Sequence, residues 1–279
     1  MDKIYYIVNW GHDKERSWSG TNFGIYKALK KIIDVDDINI CENTHKSIIT
    51  RVLNKLFRKS SDLGLAQIKR SRRLVENYIA RKEKAPIFQF AEIMCDDRGM
   101  STYIYQDLSV SYVKFMSENC PSIFQLSGFG NVDKRFIIHR YQLQMNYYIQ
   151  CKGIFTMGKW LQKDLVERCG ISENKVHHVG GGINVDKNLI NPQKKTNNKI
   201  LFIGRDFKRK GGFLVYDAFK RLKKDIPNLE LYVAGPKIDP IKSPINGYYF
   251  LGDCNHTKLS ELFNKCDIFC MPSYFEAYG

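Results

Sequence analysis

The chain has 279 residues, 43% of them hydrophobic, with 17 Phe, 16 Tyr and 3 Trp, which is material for one large or two ordinary packed domains and excludes a disordered chain. Its formal net charge of +15 points to an anionic partner, either a membrane leaflet or nucleic acid. The longest apolar runs fall well short of the roughly 20 residues that span a membrane, and the N-terminus does not read as a signal peptide. The eight cysteines (Cys41, Cys95, Cys120, Cys151, Cys169, Cys254, Cys266 and Cys270) form no C-x-x-C pair. That spacing argues against a zinc site or disulfide framework and for reduced thiols in the cytoplasm.

The run KIYYIV opens the chain as a buried strand. SWSGTNFG, residues 17–24, is a glycine-bearing loop before a helical stretch from Asn22 to Ile33, and DINIC follows as a strand. Between His45 and Lys84 twelve Lys and Arg face three acidic residues, so this short region holds +9 of the net charge. Within it KSIITRVLNKLFRKS, residues 46–60, reads as an amphipathic helix. Ile49, Val52, Leu53, Leu56 and Phe57 share one face, flanked by Lys46, Arg51, Lys55, Arg58 and Lys59. Such a helix either packs on a core with a solvated basic rim or lies on anionic lipid.

PIFQF is the next strand. In IYQDLSVSYV, Asp107 follows a strand and precedes a helix, so it is either a helix N-cap or a ligand for acceptor hydroxyls. KRFIIHRYQLQMNYY is a helix in which His139 reads as structural. GIFTM and KVHHVG are strands, and VGGGIN places Gly182 in a glycine loop that is either a simple hinge turn or an approach to phosphates. DKNLINPQKKTNNK is polar and turn-rich, which reads as a linker. KILFIG, LELYVAG, YYFLG and DIFCMP then supply four further strands. The strand–helix alternation predicts an α/β chain with parallel sheets. A first domain is expected over residues 1–185, a linker over 186–198 and a second domain over 199–279.

LFIGRDFKRKGG, residues 201–212, carries the most chemistry. A strand ends at Gly204, Arg205 follows where strand ends meet ligands in open α/β sheets, and Lys210 stands just before Gly211, Gly212 and a helix. Two cations on a glycine-bearing loop suit a diphosphate, because Arg offers a planar fork of donors, Lys a point charge, and glycine lets backbone approach closely. The bland alternative is a basic surface turn.

In order along the chain, SWSGTNFG, the segment from Gly153 to Asn184, FIGRDFKRKGG, PNLELYVAGP and the ending PSYFEAYG resemble the retaining family-four glycosyltransferases. The resemblance implies a GT-B fold, two Rossmann-like domains facing a cleft, with the second incomplete here. It implies that Arg205 and Lys210 bind the diphosphate of a nucleotide-sugar donor and that Glu276 lies against the donor sugar. Gly20, Gly182, Gly204 and Gly279 then fall in loops that approach the donor, and Asp107 falls on the acceptor side. The acceptor is a glycan or a lipid-linked sugar. No metal or other cofactor is implied.

The family places a second Glu eight residues after Glu276, which lies beyond Gly279, so the chain is expected to stop within its second domain and to have little activity alone. Phe269 and Met271, on the last strand, are then expected to be exposed. A non-catalytic or regulatory partner that keeps the fold is the second reading. A nucleic-acid-binding module is the third, supported by charge alone and by no recognisable motif. A cytoplasmic protein held on the inner face of a membrane through residues 45–84 fits the first reading.

Overall fold

The computed structural model describes residues 3–41, 62, 64–95, 98–183, 187–191 and 197–278. The amphipathic stretch 46–60 and Gly279 lie outside the described residues. In chain order the strands are β1 (Lys3–Val8), β2 (Asp34–Asn39), β3 (Ile87–Gln89), β4 (Thr102–Gln106), β5 (Gly153–Thr156), β6 (Val176–His178), β7 (Lys199–Ile203), β8 (Glu230–Ala234), β9 (Tyr248–Gly252) and β10 (Ile268–Phe269). The helices are α1 (Thr21–Leu29), α2 (Leu65–Ile79), α3 (Val110–Asn119), α4 (Pro121–Leu126), α5 (Lys134–Gln150), α6 (Lys159–Lys163), α7 (Gly212–Leu222) and α8 (His256–Lys265). The chain divides into two compact units. One comprises residues 1–121, 129–182 and 278, the other residues 122–128, 183–277 and 279.

The first unit is built on a parallel sheet of order β2-β1-β3-β4-β5-β6. The unbroken apolar run of β1 is explained by burial on both faces. Tyr5 and Ile7 pack with Ile38, Ile87 and the α2 residues Val75 and Ile79, while Ile4, Tyr6 and Val8 pack with Trp10, Val35 and the flank of α1. The second unit holds a parallel sheet of order β10-β7-β8-β9. Alternate residues of β7 again serve two layers. Phe202 packs with Val215 and Phe219 of α7, and Leu201 with Leu262 of α8. Each such fully buried side chain contributes about 1.5–3 kcal/mol over an exposed one.

Several local expectations change. His139 is exposed on α5 and takes no part in the core. Phe269 is 47% exposed on the edge strand β10, but Met271 packs against the cluster around Phe202 and Phe207, because the chain turns back over the sheet end after β10. The polar stretch after Val185 is not bare linker throughout. Lys187–Leu189 form a 3-10 turn, and Asn264 of α8 accepts from the Asn191 backbone (2.7 Å). All eight cysteines are free thiols. Among the described residues no helix is long and apolar enough to cross a membrane.

Candidate functional site

The C-terminal ends of β7 and β10 carry two loops that the sequence places 66 residues apart and the fold brings together. The first, residues 204–211, leaves β7 and enters α7. Gly204 is required there because a Cβ would meet the Lys210 stem at 2.9 Å. The lysine therefore lies flat against the strand end. Gly211 has φ +77°, in the left-handed region, and a Cβ on it would run into the Pro272 carbonyl. No other residue lets the second loop, residues 271–276, sit so closely on the first.

Arg209 ties the two loops. Its carbonyl accepts from the Tyr274 backbone (2.9 Å), and its Nη1 donates to the Phe275 carbonyl (2.8 Å) while lying 3.7 Å from the Glu276 carboxylate. Lys210 Nζ donates to Glu276 Oε2, and Ser273 Oγ donates to the same oxygen at 3.1 Å. The Lys210 side chain is only 16% exposed, so the ion pair sits in a partly desolvated pocket where charge acts strongly. Arg205 differs. Its side chain is 83% exposed and reaches Asp253, beyond the end of β9, at a loose 3.8 Å. Lys210, Glu276 and Gly204 are thus one cluster, and Arg205 is an exposed cation beside it.

Of the remaining sequence candidates, Gly20, Gly182 and Asp107 lie in the first unit. Gly20 is the N-cap of α1, with φ +90°. Gly182 has φ +68° in the loop after β6. Asp107 directly follows β4 but does not cap the next helix. Ser109 is the N-cap of α3, its Oγ accepting from the Tyr112 backbone (3.0 Å), because it stands immediately before the first helical residue in extended conformation. Among the described residues no three His, Cys, Asp or Glu side chains gather closely enough to hold a metal ion.

A buried polar network at the same end of the first sheet was not legible in the sequence. Glu92, in the segment after β3, accepts from Arg140 Nη2, Gln106 Nε2 and Gln144 Nε2. Tyr148 donates to Gln106, and Gln144 accepts from the Val110 backbone at the start of α3 (2.7 Å). Burial alone would push the Glu92 carboxyl up, but Arg140 and Gln144 hold it below the usual carboxylate range. The network pins the segment after β3 to β4, α3 and α5. Arg209 and Ser273 were also missed. Arg209 sits in a run of three cations, and nothing in that run marks which one turns inward.

Residues 186–279 match the family described as glycosyl transferases group 1. No curated protein matches the chain in sequence. Among solved structures, the chain is similar to the lipopolysaccharide outer core galactosyltransferase WaaB in its apo form, with 12% identity, a TM-score of 0.58, and coverage of 99% of this chain and 75% of that one. A glycosyltransferase from Rickettsia africae ESF-5 gives 13% identity, a TM-score of 0.53, and coverage of 98% and 73%. A mutant S. aureus TarM in complex with Fondaparinux, alpha-GlcNAc-glycerol and UDP gives 8% identity and a TM-score of 0.50 over 75% of this chain. This chain spans 41% of that TarM. These likenesses, with the two parallel sheets, establish a GT-B α/β fold.

Proposed function

We propose, from the match of residues 186–279 to the family described as glycosyl transferases group 1, that the chain serves transfer of a sugar from a nucleoside-diphosphate donor to a glycan or lipid-linked acceptor, with retention of anomeric configuration. The observation that carries this reading is the Lys210–Glu276 pair, held by Arg209 and Ser273 where β7 and β10 end. Such strand ends are where open α/β sheets take ligands.

On this reading the two charges separate when the donor enters. The diphosphate takes Lys210, with Arg205 swinging onto it from the rim, and the sugar hydroxyls take the Glu276 carboxylate. Departure of the diphosphate concentrates negative charge on the bridging oxygen. Fixed cations stabilise that charge more in the transition state than in the ground state, so the rate rises. The leaving diphosphate assists removal of the acceptor's proton from the front face, so no protein nucleophile and no metal is required. A nucleoside diphosphate therefore binds more tightly than its nucleoside, and Arg205→Ala costs about 1.5–3 kcal/mol of that preference. Calorimetry tests this with UDP, the nucleotide of the TarM complex, and with GDP and ADP, each against its nucleoside. Equal binding of every pair, or no effect of the substitution, overturns the reading.

The basic region supports placement on an anionic membrane face. Lys69, Arg70 and Arg73 of α2 are exposed, as are Arg81, Lys82 and Lys84 beyond it, while Leu65, Val75 and Ile79 face the core. Lysines and arginines so displayed attract anionic lipid by about 1 kcal/mol each near the surface.

A further inference from the structure

The outer face of α5 carries an unusual composition for a solvated helix. From Phe136 to Gln150 its one charged residue is Arg140, and that side chain turns inward to Glu92. The solvent side of this stretch is therefore uncharged, in a chain of which 26% is Asp, Glu, Lys or Arg. It is also apolar in places, with Ile149 66% exposed and Ile138 44% exposed. The core side is already filled by Ile137, Tyr147 and Tyr148. A helix with apolar residues on both faces is one that is covered on both.

The spacing of that face fits one occupant. Ile138, Gln142, Met145 and Ile149 follow one another at steps of four, three and four. Those steps keep them in one narrow stripe of an α-helix and are the a/d rhythm of a coiled-coil seam. Gln142 is exposed, while Met145 is half-buried with its inner side on the cluster around Tyr148. The steps read the same from either end. An antiparallel copy of the stripe therefore lays Ile138 on the partner's Ile149 and Gln142 on the partner's Met145, and a two-fold axis repeats both contacts. The flanks add no formal charge, being His139, Asn146 and Gln150 on one side and Tyr141 on the other. Arg135 stands beyond the stripe, where its Nη2 donates to Asp133 (2.7 Å).

We propose that α5 is the face through which two copies of this chain pair, antiparallel and across a two-fold axis. The seam from Ile138 to Ile149 runs about 16 Å along the helix, so the interface falls below the class of about 1,200 Å² and the dimer is micromolar rather than obligate. Each copy carries a net charge of +15, and Arg135 approaches the partner's Lys152 at either end of the seam. The copies thus repel at long range, and association tightens as salt rises. That is opposite in sign to the docking of a basic face on anionic lipid. The seam uses none of the candidate donor residues, so its failure leaves the transferase reading standing.

Sedimentation velocity of the full chain across the micromolar range, at low and high salt, tests this. The sedimentation coefficient is expected to rise with concentration, and more steeply at high salt. Ile149→Glu, at an exposed position, sets a carboxylate against the partner's Ile138 and weakens association at least about tenfold, with circular dichroism unchanged. Ile138→Lys does the same. The protein carrying both substitutions recovers association, because the antiparallel register sets each new cation against a new carboxylate, whereas a parallel pair would set like against like. Should a single variant melt early, Gln142→Lys carries the same comparison. Phe269→Lys, on the 47% exposed residue at the edge of β10, leaves association unchanged. The proposal falls if the wild type stays monomeric at high salt, if Ile149→Glu and Gln142→Lys both still pair, or if the double variant fails to recover. It falls equally if Phe269→Lys alone abolishes pairing. A monomer whose binding to anionic vesicles is lost in Ile149→Glu assigns the face to lipid and overturns it too.

Discussion

Glu92→Gln changes one oxygen to nitrogen in a site with no room for the exchange. The wild-type carboxylate receives three donors, from Arg140, Gln106 and Gln144. A glutamine amide presents its own N–H groups to at least one of them and leaves the Arg140 guanidinium, 7% exposed, without its counter-charge. Arg140 Nη1 already lacks a partner, so the arginine has no second acceptor to fall back on. Removing one member of a buried ion pair costs about 3–5 kcal/mol. At about 2–4 °C per kcal/mol for a domain of this size, the first unit melts roughly 6–20 °C earlier. Thermal unfolding by circular dichroism reads the shift. The double substitution Glu92→Gln with Arg140→Met recovers much of the loss, since it removes the stranded charge together with its partner. A Glu92→Gln protein that melts within a degree of the wild type refutes the claim that this network pins the segment after β3.

The depressed pKa of Glu92 sets the sign of a pH effect. Its stabilising contribution is fully present above the ordinary carboxylate pKa of about 4.3 and is lost as pH falls through the lower folded value, so the gap in melting temperature between wild type and Glu92→Gln narrows below about pH 4. A gap that widens in acid contradicts this. Gly211→Ala forces a Cβ into the Pro272 carbonyl and abolishes nucleoside-diphosphate binding while the first unit melts as before, in a calorimetric titration paired with a thermal scan. Replacing Lys69, Arg70, Arg73 and Arg81 with Gln weakens sedimentation with anionic vesicles by about 3–4 kcal/mol at low salt and leaves circular dichroism unchanged. Equal binding to neutral vesicles counts against membrane placement.

Much of the fold could be read from local pattern, because buried parallel strands are continuous apolar runs and β1, β7 and β8 announce themselves as such. Their ends were less legible. DIFCMP supports only the two-residue β10: Cys270 still donates its backbone N–H to the Leu201 carbonyl of β7 (2.9 Å), but Met271 packs over the sheet end and Pro272 lacks a ladder donor. The strand–glycine–cation pattern located Lys210 because that chemistry is local in sequence. Glu276 required the family resemblance, and its pairing with Lys210 required the fold. Arg209 and the Glu92–Arg140 pair were hidden for a different reason. A charged residue in a helix or a basic run reads as solvated surface, and only a partner 48 or more residues away turns it inward. Asn22 was hidden similarly, as a polar residue at a helix start that the fold buries.

The central claim is that Lys210 and Glu276 form a donor-sugar diphosphate site, and calorimetric titration of UDP, GDP and ADP into Lys210→Ala and Glu276→Gln tests it most directly. Removing the cation is expected to weaken the bound nucleoside diphosphate by about 1.5–3 kcal/mol, roughly ten- to a hundredfold. Glu276→Gln is expected to hold binding level or tighten it, because it releases Lys210 from its internal partner. Weaker binding in both variants, or unchanged binding in Lys210→Ala, would contradict the account.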